Sequence, residues 1–216
     1  MIEAIGLLEI DSIAAGVEVA DAVVKMAPVE FLETFMVTPG KFVVLVHGDP
    51  TSVQAGLDAG RTVAGTALLD WLHIPFVHPQ VLPALHGAGR LDTDTALGLV
   101  ETTSVASGVR AADDAAKAAA VRLVHLHLGR GIGGKSILLL CGELFDVQAA
   151  VAAGAAAPAA AGRLVGTRVI AQPHPDLAQR LMEGLQRLPV PASNPPSATR
   201  AAPPTPRPEP PAEDEA

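Results

Sequence analysis

Residues 129–136, Gly-Arg-Gly-Ile-Gly-Gly-Lys-Ser, satisfy the pattern G-x-x-x-x-G-K-[ST], in which backbone N–H groups and a lysine cradle nucleotide phosphates. Such a loop needs a strand before it and a helix after it, so that the helix N-terminus faces the phosphate. The preceding VRLVHLHL reads as a strand, but the following ILLLCG is a short apolar run stopped by Gly142 and reads as a second strand. Nucleotide hydrolysis is therefore disfavoured. His125 and His127 alternate on a strand and share one face, the spacing of some metal sites, yet no third ligand accompanies them. They read as part of a partly buried sheet surface. Cys141 is the single cysteine, which rules out an internal disulfide and fits a reducing compartment. Scattered Ser and His form no nucleophile–base pair. The chemistry expected is thus non-enzymatic, with no catalytic residue, no metal and no cofactor.

Two copies of one module supply the elements around these residues. AIGLLEIDSIAAGVEVADAVVKMAPV begins at Ala4, and ALGLVETTSVASGVRAADDAAKAAAV begins at Ala96. Pairing i with i+92 over these 26 positions gives 13 identities, including Gly6, Glu9, Ser12, Gly16, Asp21 and Lys25. A repeat of this kind decides the architecture before any single element does. After small insertions the copies stay in register, with Gly40-Lys41 matching Gly134-Lys135 and His78-Pro79 matching His174-Pro175.

Each copy predicts the same order. AIGLLE is a strand; Asp11-Ser12 caps a helix through about Ala27; VEFLETFMV and KFVVLVHG are strands; Asp49-Pro50 opens a second helix; and LHIPFVHP closes the unit as a strand. Copy two repeats this down to GTRVIAQP. The order β-α-β-β-α-β is that of a ferredoxin-like α+β sheet with both helices on one face. The expected boundaries are 2–82 for the first domain, 83–95 for a linker, 96–188 for the second domain and 189–216 for a Pro-rich tail. That tail carries nine prolines beyond Pro189 and reads as disordered or polyproline II, either solvated or docking a partner.

Composition narrows the partners. The net charge of −8 argues against nucleic acid, which needs clustered Lys and Arg. No run approaches the ~20 apolar residues of a membrane helix, and MIEAIGLLEI lacks the basic start of a secretory signal, so a cytoplasmic protein is expected.

The residues that carry the repeat also resemble a known family. AIGLLE followed by SIAAGVEVADAVVKMA, with the later Gly-Lys and His-Pro elements in both copies, resembles the bacterial microcompartment shell domain, the BMC fold, over about residues 2–185. Two copies in series are similar to the family's tandem type, BMC-T, in unpermuted order. The resemblance implies a structural shell protein: a homotrimer whose six domains imitate a hexamer, meeting other hexameric and pentameric tiles at its edges. It also brings encapsulated enzymes into view as partners. A trimeric ferredoxin-like small-ligand-binding or signalling protein is the rival reading.

The resemblance further assigns residues. The loop between the second and third strands lines a central pore in this family, which points here to Thr38, Pro39 and Gly40 in copy one and to Gly131, Ile132, Gly133 and Gly134 in copy two. Glycines let main chains converge at an axis and offer N–H groups to polar or anionic solutes. Arg130, if it points inward, adds positive charge that favours anions. Lys25 and Lys117 match the family lysine that reaches a neighbouring tile's carbonyls across the tile edge. Val77 and Gln172 stand where many relatives have arginine before the His-Pro element.

Overall fold

The computed structural model describes residues 3–92 and 94–186. The Pro-rich segment 189–216 lies outside the described residues. Copy one comprises β1 (Ala4–Ile10), α1 (Ile13–Met26), β2 (Glu30–Val37), β3 (Lys41–Gly48), α2 (Pro50–Ala64) and β4 (Leu68–Pro75), the last entered through a short 3-10 turn. A short helix α3 (Val81–Leu85) leads to copy two, formed by β5 (Ala96–Thr102), α4 (Val105–Ala118), β6 (Arg122–Leu128), β7 (Ser136–Gly142), α5 (Leu144–Ala160) and β8 (Leu164–Ile170). A final helix, α6 (Pro175–Gln186), was not anticipated from the sequence. Helix α3 also reaches into the expected linker.

Both sheets are antiparallel, in the orders β2-β3-β1-β4 and β6-β7-β5-β8, with each first strand in the middle, as β-α-β-β-α-β predicts. Local chemistry sets the helix starts. The Ser12 and Ser104 hydroxyls accept from the N–H groups of Ala15 and Ser107, and the Asp49 carboxylate accepts from Thr51 and Ser52 with Pro50 just inside the helix. Gly6 and its repeat Gly98 sit where a Cβ would come within 2.8 Å of Val53 and 2.7 Å of Val151, so the glycines let the second helix of each copy lie close on the central strand.

The two sheets differ in what covers the face that carries no helices of their own. The copy-one helices cover Leu8, Ile10, Val44 and Val46. The opposite face of the same sheet, with Ile5, Leu7, Val43, Leu45, Leu72 and Ile74, merges with the copy-two core through Val105, Val109 and Ala112 of α4. Helix α4 is therefore buried on both sides, between its own sheet and the back of the copy-one sheet. On the copy-two sheet, Leu181, Met182 and Leu185 of α6 cover one end of the corresponding face, against Leu97, Val124, Leu139 and Cys141.

Candidate pore loops and subunit-joining surfaces

The hairpin between β2 and β3 presents Thr38, Pro39 and Gly40, with a cis peptide before Pro39. The hairpin between β6 and β7 presents Gly131, Ile132, Gly133 and Gly134. Gly129, Gly131, Gly133 and Gly134 all have φ between +69° and +78°, which side chains disfavour, so this tight turn depends on glycine. The structure brings the two hairpins together. A Cβ on Gly134 would lie 2.9 Å from the Thr38 carbonyl oxygen and 3.4 Å from Lys41 Nζ, whereas a Cβ on Gly133 would meet nothing within 4 Å. Ser136 begins a strand rather than a helix, so the phosphate-loop pattern has no helix N-terminus to offer an anion.

Arg130 does not stand free beside the loop. Its guanidinium pairs with Glu33 and lies over the Phe35 ring at 4.1 Å, with the two charged side chains only 17% and 10% exposed. A paired charge adds little field at the loop tips, which removes the reason to expect anion preference from Arg130. The pairing joins residues 97 positions apart, and no local pattern announces it. His125 and His127 stack at 5.8 Å on β6 and are almost fully buried, more so than a partly buried sheet surface implies. His127 Nε2 lies 2.6 Å from the Arg130 carbonyl oxygen. Burial, followed by the neighbouring His127, pushes the pKa of His125 down to about 4, so the ring is neutral near pH 7. Among the described residues no group of three His, Cys, Asp or Glu side chains could hold a metal ion.

The surface joining the copies is built around Glu9. Its carboxylate is fully buried, accepting from Lys41 Nζ at 2.8 Å and from the backbone N–H of Val105 at 2.9 Å, the first residue of α4. An anion at a helix N-terminus satisfies an otherwise orphaned N–H and opposes the helix dipole favourably. Alongside it the Ser104 and Ser107 hydroxyls donate to Asp70, Arg110 donates to the His73 carbonyl, and Arg163 donates to the Leu69 carbonyl. At the far end of α4, Asp113 accepts from the His78 N–H at 2.8 Å and from Lys117 at 2.6 Å. Lys25 makes the same i,i+4 pair with Asp21 at 2.5 Å. Both lysines thus stand at the C-terminal ends of their helices with part of the side chain exposed.

Glu101 and Lys135 repeat the Glu9–Lys41 pair at 2.8 Å, but these side chains are 39% and 49% exposed. Helix α1 repeats α4 with the same difference. Val105 and Val109 are fully buried, whereas their counterparts Ile13 and Val17 are 41% and 57% exposed. One chain therefore carries an exposed helix stripe and a sheet face that α6 covers at one end only, and these match the two halves of its own internal contact. The repeated Glu and Gly-Lys pairs signalled part of this surface in the sequence; Asp70, unmatched in copy two, gave no signal.

A profile of the BMC domain family matches residues 4–77 and 96–173. The chain is 41% identical over 184 residues to the bacterial microcompartment shell protein PduT of Citrobacter freundii, covering 85% of this chain and all of the relative. The shell protein EutM of Escherichia coli K12 is 38% identical over 92 residues, or 42% of this chain and 92% of EutM. Among solved structures, a microcompartment protein from Desulfitobacterium hafniense superposes with a TM-score of 0.73 at 46% identity, over 83% of this chain and 99% of that one.

Proposed function

The chain belongs to the BMC-domain family of bacterial microcompartment shell proteins, and from that membership we propose that three copies close head to tail into a non-catalytic, pseudohexameric tile. One observation carries the reading: the stripe of Ile13, Ala14, Val17 and Asp21 is exposed on α1, while Val105, Ala106, Val109 and Asp113 at the same places on α4 are buried against the copy-one sheet. A second chain whose copy-two sheet received α1 would repeat the internal contact between chains. The Ile13 N–H would then meet Glu101 as the Val105 N–H meets Glu9. A contact that joins unlike faces propagates a rotation, and the tandem family closes that rotation at three chains.

In such a ring the two hairpins already adjacent within a chain alternate around the axis. Thr38, Pro39, Gly40, Gly131, Ile132, Gly133 and Gly134 then line a pore whose walls are main chain. With Arg130 neutralised by Glu33, small polar solutes are its expected passengers, without a preference set by fixed charge. Lys25 and Lys117 lie at the ring's rim, where they join it to other shell tiles. No helix of the described residues is long and apolar enough to cross a membrane.

The test is the mass of the particle in solution. Val17 is exposed in the single chain, so Val17→Glu leaves the fold intact, and the wild type should sediment as a trimer while the variant stays monomeric. A wild-type monomer, or a variant that still forms trimers, would refute the ring.

A further inference from the structure

We propose that the joint inside the chain and the joint between chains carry opposite charge patterns, with Arg168 of the copy-two sheet receiving Glu18 on helix α1 of a second copy. This rests on the ring proposed above and specifies how its chains recognise one another.

Strand register gives the correspondence. On the copy-one sheet Leu7 pairs with Leu72 and Glu9 with Asp70; on the copy-two sheet Leu99 pairs with Arg168 and Glu101 with Gly166. Leu72 is buried in the cluster that includes α4, so Arg168 stands on the face that would receive α1. Its guanidinium folds back over the missing side chain of Gly166, with Nη1 4.0 Å from where a Cβ would be, and donates to the Thr167 carbonyl at 2.6 Å. A cation therefore lies beside the place where copy one holds the Asp70 carboxylate.

The helices are inverted to match. Arg110 of α4 reaches the β4 main chain at His73, and Arg163 Nε lies 4.0 Å from Asp70, so the internal joint sets an acidic sheet against basic groups. The residue of α1 in register with Arg110 is Glu18, and that with Ser107 is Ala15. The joint between chains would set a basic sheet against an acidic helix. Nearby charges on these faces are already paired, Glu101 with Lys135, Asp21 with Lys25 and Arg122 with Asp92.

This inversion discriminates against wrong partners. Seating α4 of one chain on the copy-two sheet of another would bring Arg110 to Arg168. Seating α1 on a copy-one sheet would set the Glu18 carboxylate where Arg110 donates to the His73 carbonyl, and would put Ala15 where the Ser107 hydroxyl donates to Asp70. Like charges penalise the first mistake, and lost donors with an acceptor facing an acceptor penalise the second, so chains add in one order only.

The experiment measures trimer dissociation by sedimentation at low salt for the wild type, Glu18→Arg, Arg168→Glu and the double exchange. Both residues are exposed in the single chain, so each variant should fold, which circular dichroism checks. Each single exchange should loosen the trimer by about tenfold or more, and the double exchange should recover most of the loss. A wild-type trimer that both single exchanges leave unchanged overturns the pairing while sparing the ring. Weakening that the double exchange fails to recover also overturns it. A wild type that stays monomeric overturns ring and pairing together.

Discussion

Replacing Glu9 with Ala probes the internal joint at its least exposed charge. The substitution removes an acceptor that serves Lys41 at 2.8 Å and the Val105 N–H at 2.9 Å, and it leaves both donors behind. Breaking a buried ion pair from one side costs about 3–5 kcal/mol, and a hydrogen bond to a charged group contributes about 1.5–3 kcal/mol. Lys41 retains 18% exposure and can rehydrate, which places the expected loss near the lower end, about 3 kcal/mol. The matching change Glu101→Ala strikes a pair that is 39% and 49% exposed, and in the dilute single chain it should cost under about 1 kcal/mol. Urea unfolding of dilute protein reads the difference. With a slope near 3 kcal/mol per molar, the Glu9→Ala midpoint should fall by about 1 M and the Glu101→Ala midpoint by a third of that or less. At concentrations that favour assembly, Glu101→Ala should instead weaken association, because the proposed ring would bury that carboxylate. Equal losses for the two variants in the dilute chain would refute the claim that one joint is closed and the other open.

Three other predictions follow from particular side chains. Exchanging both Lys25 and Lys117 for Ala should preserve trimers while reducing extended sheets seen by electron microscopy, since each lysine contributes only about 0.5–1.5 kcal/mol per hydrogen bond but the loss recurs around every tile; unchanged sheets would remove the edge assignment. Gly133→Leu should cost about 1–2 kcal/mol for its positive φ yet fold, narrowing the pore in a solute-flux assay, whereas Gly134→Leu should also force the two hairpins apart because its Cβ meets Thr38. His125 has a folded pKa near 4 against about 6.5 unfolded, so its contribution to stability is present above pH 6.5 and is lost as the pH falls towards 4. His125→Asn should flatten that part of the pH–stability curve, and an NMR titration placing His125 near 6.5 would contradict the assignment.

The topology was legible because the sequence states it twice. Thirteen identities at i+92 fixed the strand–helix order, and Gly6, Ser12 and Gly16 recur because each is needed where a helix starts or packs closely on the sheet. The candidate pore-loop residues were assigned by family resemblance alone, and the structure adds that the two loops touch within one chain. What the sequence hid depends on contacts between distant segments. Arg130 reads as a free loop cation until Glu33 and Phe35 meet it. No local pattern marks Arg168, and only strand register sets it where copy one has Leu72. Helix α6 was missed because its apolar residues follow the repeat and have no counterpart of similar length in α3.

A cryo-electron microscopy map of the purified particle would show directly whether the chains close into a ring through α1. The map should show three chains around one axis, the Ile13–Val17 side of α1 buried on a neighbour's copy-two sheet, and residues 38–40 alternating with residues 131–134 at the centre. A particle with those hairpins at its periphery, or with α1 facing solvent, would contradict the ring.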